Sequence, residues 1–195
     1  MNISKLKNYL TAKLKSELPK NLSYHGLHHT MEVLDVCNQY IKRLNINAQD
    51  AYLLRTAALI HDIGIMWTYN GHEEESVRYS KEILPSFGYS KSDLIKIERM
   101  ILATQIPQKP KNILEKIICD ADLDYLGTKN FYKTGNTLFK EFLAYKVIAN
   151  EKEWDALQIR FLTNHHYHTD FAIKNREPKK QAFLMELKSK WNITE

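Results

Sequence analysis

Glycine and proline are scarce, six and five residues in a chain of 195. An all-β fold needs frequent turns and would use more of both. The shortage points to long helices instead. Cysteine is scarcer still. Cys37 and Cys119 stand far apart, with no metal-binding or redox spacing. Both fall in apolar-periodic segments, which suits reduced core thiols and a cytosolic location. No apolar run approaches membrane-spanning length, and residues 1–5 lack the apolar stretch of a signal peptide. A long basic run is missing too. The net charge of +5 comes from scattered lysines such as Lys109, Lys111, Lys179 and Lys180. It reads as solvated surface rather than as a nucleic-acid stripe. Repeats, low-complexity segments and strand-like alternation are absent. The remaining composition, 44% hydrophobic and 26% charged, is that of a soluble globular domain with a proper core.

What is present is helical periodicity. Ile3, Leu6, Leu10, Leu14 and Leu18 mark an amphipathic helix stopped by Pro19. After a connector, Leu27 through Leu44 form a second, broken by Asn45 and Asn47. A third carries Tyr52, Leu53, Leu54, Ala57, Ala58 and Ile60 to His61 and Asp62, and ends at Gly64 and an aromatic turn around Trp67 and Tyr69. His72 opens a fourth, whose acids Glu73, Glu74 and Glu75 suit the helix dipole. It runs to Leu84, before Pro85. Ser90 and Asp93 cap a fifth, through Ala103. A sixth is expected from Ile113 to Leu126, ended by Gly127. Three more follow: 130–149, a helix from about Glu151 to His165, and 170–191, which Pro178 bends or divides. The class is all-α, one helical bundle domain over 1–195. Its motif-bearing core spans about 22–130, with C-terminal helices 130–191 packed on it.

The eight histidines are clustered at 25, 28, 29, 61, 72, 165, 166 and 168. His25 and His29 are four apart. On one helix they would share a face, about 6 Å apart along the axis. Alone, the pair reads as a helix start in which His25 caps and His29 is a hydrogen-bonded core residue. The apolar run before His61-Asp62 pushes that pair toward the interior, which is costly unless the two are hydrogen-bonded or hold a cation. Asp120, Asp122 and Asp124 make a third polar point. A polar helix face with exposed Asp120 and Asp124 explains all but Asp122, which falls near the core boundary. Nitrogen and oxygen ligands without thiolate suit Mn, Fe, Mg, Co, Ni or Zn. Their wide sequence separation suits a site in a helical bundle. His165, His166 and His168 end a late helix and read as exposed polar residues.

These segments carry a resemblance. His29, His61-Asp62 and Asp122 stand in the order of the H…HD…D signature of the HD superfamily of metal-dependent phosphohydrolases. Tyr24-His25-Gly26-Leu27-His28-His29-Thr30-Met31-Glu32-Val33 resembles its YHxxxHxxxV segment. Ala57 through Gly64 resembles AAxxHDiG, and Asp120 through Gly127 resembles DADLDxLG. His72 through Ser76 resembles the HExxS of a bacterial subgroup of predicted HD phosphohydrolases. The similarity covers about residues 22 to 170.

The resemblance implies an HD-type helical domain and one divalent metal ion per chain, held by His29, His61, Asp62 and Asp122. It makes His25 the donor of the leaving-group proton, and Asp62 both a ligand and the group that orients the attacking water. His72 matches the first of two histidines that hold a second metal in some relatives. Thr104-Gln105 stands where the second is expected, which favours one metal and leaves His72 as phosphate contact or proton carrier. Tyr24, Glu73 and Thr104 complete the expected site as substrate-binding residues, with Trp67 and Tyr69 as further stacking candidates. The implied activity is phosphoester hydrolysis of a small substrate, a nucleotide or cyclic nucleotide. The alternative is a metal-binding module that senses nucleotides with little catalysis. The expected partners are the small phosphorylated substrate and a second copy of the chain in a homodimer.

Overall fold

The structure is a computed structural model and describes residues 1–193; among these it contains helices and no strand. The all-α class is as expected. The chain forms two compact units, the first Met1–Asp122 and the second beginning at Leu123. The first holds α1 (Ile3–Glu17), α2 (Leu27–Arg43), α3 (Ala48–Ile60), α4 (His72–Ile83), α5 (Lys91–Ala103) and α6 (Ile113–Asp122). The second holds α7 (Phe131–Ala144), α8 (Glu151–Asn164), α9 (Asp170–Asn175) and α10 (Glu177–Lys190).

The first unit is built round α3. Its N-cap is Asn47, whose side chain accepts from the Asp50 amide at 2.9 Å. Beyond its first turn almost every position is buried, including Leu53, Leu54, Ala57, Ala58 and Ile60. A helix apolar all round belongs inside. It packs on α1, α2, α5 and α6. Each fully buried leucine or isoleucine there contributes about 1.5–3 kcal/mol. That burial fixes where α3 ends, and it ends on His61 and Asp62.

In the second unit Phe131 stacks on Phe183 at 4.4 Å, and Leu126, Leu162, Leu184 and Leu187 complete the core. Pro178 does divide the last helical stretch. It sits in the first turn of α10, where a missing N–H leaves no hydrogen bond unmade.

Four local expectations change. α2 starts at Leu27 as expected, but its N-cap is Gly26, in extended conformation, and not His25. The helix expected to reach Leu126 stops at Asp122. Leu123 leaves helical geometry, and a separate 3-10 turn covers Asp124–Gly127. The break lets Leu123 and Leu126 join the core of the second unit. Asp120 and Asp124 are not an exposed polar face. Asp120 is fully buried, and Asp124 accepts from Arg176 Nε at 2.7 Å. The helix expected over 130–149 is shorter, ending at Ala144.

Candidate metal centre

Four side chains converge inside the first unit. α2 brings His29, the end of α3 brings His61 and Asp62, and the end of α6 brings Asp122. His29 Nε2 lies 3.0 Å from Asp122 Oδ1 and 3.3 Å from Asp62 Oδ2. His61 Nε2 lies 3.1 Å from Asp62 Oδ2 and 3.5 Å from Asp122 Oδ1. These approaches are close but not aligned: both Nε2 atoms are buried without a hydrogen bond. A buried imidazole nitrogen left this way is costly.

A shared cation resolves the cost. Two ligands about 2.1 Å from one ion stand about 3.0 Å apart at a right angle and about 3.4 Å apart at the tetrahedral angle. Three of the four separations fall in that range, and the fourth, 3.5 Å, lies just beyond it. The tautomers agree as well. His61 Nδ1 lies 3.0 Å from the Ala58 carbonyl, which can only accept, so Nδ1 carries the proton. The neutral ring then turns its Nε2 lone pair toward the carboxylates. The residues present therefore fit a divalent ion bound through nitrogen and oxygen.

The electrostatics show the same mutual compensation. Burial alone would lower the His29 pKa, but Asp122 and Asp62 raise it from 6.5 to about 9. Burial likewise opposes the rise at His61, which Asp62 and Asp122 carry well above the ordinary value. Burial would raise both carboxylates. His61 and His29 instead hold Asp62 well below the ordinary range, and His29 and His61 hold Asp122 at about 2. Four groups that each sit badly alone are stable together.

A second group adjoins the first. His25, Asp62 and His72 offer ligand atoms close enough to meet at one ion. Asp62 serves both groups: Oδ2 faces His29 and His61, while Oδ1 is 3.6 Å from His72 Nε2. His72 Nδ1 donates to the Tyr69 carbonyl at 2.9 Å, which again directs Nε2 inward. His25 is half-buried with its ring 5.3 Å from that of His72. Glu73 Oε1 is 3.6 Å from His72 Nε2.

Gly64 makes this arrangement possible. A Cβ there would sit 2.1 Å from the His72 carbonyl and 2.5 Å from the Ser76 amide nitrogen. The turn after Asp62 therefore lies directly on the first turn of α4, pinned by Gly64 N–H donating to Ser76 Oγ at 2.8 Å. Gly64→Ala is expected to cost about 3 kcal/mol and to separate His72 from Asp62. Urea unfolding measures the loss, and an unchanged midpoint would contradict the close approach.

The other expected residues are placed as follows. Tyr24 is buried, its ring 4.6 Å from that of His29. Tyr69 faces His25 edge-on at 6.2 Å. Thr104 is buried at the end of α5, its hydroxyl donating to the Ile101 carbonyl at 2.7 Å. Trp67 packs on Tyr79, with Lys13 over its ring. The late histidine cluster is not an exposed polar end: His165 is buried, stacked on Phe161, and only His166 is exposed. Sequence reasoning missed the Ala58 and Tyr69 carbonyls. As backbone groups placed by turns, they leave no side-chain signal.

Residues 26–124, just over half of the chain, match the family model of the HD domain. No curated protein matches the chain. The solved structures that share its fold include two bacterial proteins. A predicted HD superfamily hydrolase from an uncultured Thermotogales bacterium is 20% identical, with a TM-score of 0.61 over 98% of this chain and 97% of the other. YpgQ of Bacillus subtilis, in complex with ADP, is 18% identical, with a TM-score of 0.64 over 97% of each chain.

Proposed function

The chain belongs to the HD-domain family, and from that premise we propose that it is a metal-dependent phosphohydrolase cleaving a phosphoester of a nucleotide or cyclic nucleotide. Family and donor set together support a metal-dependent hydrolase. One observation carries the reading furthest: two buried imidazole nitrogens without hydrogen bonds face two carboxylates at 3.0–3.5 Å. The ADP bound to the YpgQ structure supports the nucleotide class.

His29, His61, Asp62 and Asp122 would hold one divalent ion. When bound, such an ion lowers the pKa of water from about 15.7 toward roughly 7 and neutralises charge on a phosphoryl oxygen. The remaining work falls to the chain. Asp62, with Oδ1 turned away from His29 and His61, orients the attacking water. His25, half-buried beside His72, protonates the leaving oxygen. His72, fixed by the Tyr69 carbonyl, contacts the phosphate or carries a proton, with Glu73 beside it.

Phosphate release from a panel of nucleotides, and chromatographic detection of the monophosphate formed when a cyclic nucleotide is opened, each with Mn or Mg added and then chelated, test the reading. Metal-dependent turnover of some member is the expected result. No turnover across the panel, with tight ligand binding retained, would make the chain a sensor instead. His25→Ala should keep its metal and lose about 10²–10⁴-fold in kcat, the usual contribution of a positioned acid. Full activity in that variant would remove the acid role.

A further inference from the structure

The second unit holds a cleft of about 610 Å³ among α7, α8 and α10, and no residue of the metal centre lines it. The size suits a small organic ligand. Gln158, nine-tenths buried, lines this cleft, and among the described residues its side-chain amide makes no hydrogen bond. Its polar atoms are not among those sealed from solvent without a partner, so the amide opens into the cleft, where a ligand can meet it.

Gly135 forms the facing wall. It is buried in the interior of α7, where alanine would favour the helix by about 1 kcal/mol. A Cβ there would stand 3.4 Å from Gln158 Nε2 and 3.8 Å from Trp154 Cζ2, ordinary contact distances. Internal packing therefore does not require glycine. What glycine does at this position is keep the space beside Gln158 open.

The rest of the lining indicates what fills it. Tyr132, Phe139 and Trp154 supply aromatic surface. The charges are already used. Glu151 and Asp155 both accept from Lys190 Nζ, at 2.5 and 2.6 Å, and Trp191 Nε1 donates to Asp155 at 2.8 Å. Glu186 adds a third carboxylate and Lys133 a second cation, so acids outnumber bases and no surplus positive charge awaits a phosphate.

We propose that this cleft binds a neutral planar heterocycle with an amide-type edge, a nucleobase or nucleoside. Aromatic faces stack on such a ring, worth about 1–3 kcal/mol per base. The Gln158 amide offers a donor and an acceptor side by side, matching the paired acceptor and donor of a base edge. The acidic lining disfavours the phosphorylated form. The site is separate from the metal centre and does not depend on the activity assigned there.

The test uses the full chain in EDTA. It is titrated with the common nucleosides, their free bases and their 5′-monophosphates, followed by calorimetry and by tryptophan fluorescence, which Trp154 reports from the cleft wall. The expected result is saturable 1:1 binding of at least one base or nucleoside, with its monophosphate at least about tenfold weaker, or about 1.4 kcal/mol. Gly135→Leu, which fills the space with a better helix former, should abolish binding. Gln158→Leu should weaken it about tenfold, and His61→Ala should leave it unchanged. The proposal is overturned by no saturable binding of any base or nucleoside. Tighter binding of the monophosphate, or unchanged affinity in both cleft variants, would overturn it as well. So would loss of binding in His61→Ala, or saturation by spermidine without response to nucleosides.

Discussion

His61→Ala and Asp62→Asn are each expected to emerge without bound metal and without turnover, while keeping their helical content. The expectation follows from how the two side chains are held. His61 is fully buried at the end of the most buried helix, with its tautomer fixed by the Ala58 carbonyl. Its Nε2 has no hydrogen-bond partner, so its removal subtracts a ligand together with the charge compensation it gives Asp62 and Asp122. His61→Ala also opens a cavity, which costs some stability. Asp62→Asn avoids that difficulty because it keeps the shape and changes only the charge and donor character. Asp62 stands within 3.6 Å of His29, His61 and His72, so the substitution weakens every ligand set the site can form. The loss of turnover should be on the order of 10³-fold or more, about 4 kcal/mol. Elemental analysis and circular dichroism of the purified variants decide the matter together. Metal content equal to that of the parent in both variants would sink the ligand assignment.

Much of this site was legible in the sequence because its parts are side chains tied to helix periodicity. The apolar run Ala57–Ile60 did carry His61 and Asp62 inside, and Asp122 did separate from its acidic neighbours. The failures have a common cause: they turn on the backbone. Read alone, the spacing of His25 and His29 made His25 the cap of α2, yet Gly26 caps the helix between them. The rings still come within 6.2 Å, so the pairing held without the helix. The apolar pattern of α6 ran on to Leu126, and nothing in it marked the break at Leu123, which serves a different core. Asp120 was misjudged because α6 is buried on nearly every side over its last two turns. For His165, a short polar string hid the stacking on Phe161 that buries the ring.

Metal affinity is expected to rise steeply between pH 6.5 and about 9, while the metal-free protein loses stability over the same interval. In the metal-free protein His29 titrates at about 9 and His61 well above its ordinary value, so at neutral pH protons stand where the ion would bind. A raised histidine contributes stability that is complete below its unfolded value of 6.5 and is lost as pH rises through about 9. The displacement corresponds to about 3 kcal/mol for His29. Asp122 acts in the opposite sense: lowered from 3.8 to about 2, it contributes above 3.8 and fades as pH falls through about 2. The metal-free protein should therefore be most stable between about pH 4 and 6.5. The ion must displace the imidazole protons, which releases one or two per ion bound. Affinity should then climb up to about tenfold per pH unit for each proton displaced. Thermal melts of EDTA-treated protein from pH 5 to 9, and calorimetric titration of metal in buffers of different ionisation enthalpy, measure the two sides of this linkage. A melting temperature that stays level or rises from pH 6.5 to 9, together with no proton release, would show that the imidazoles do not face the carboxylates as described.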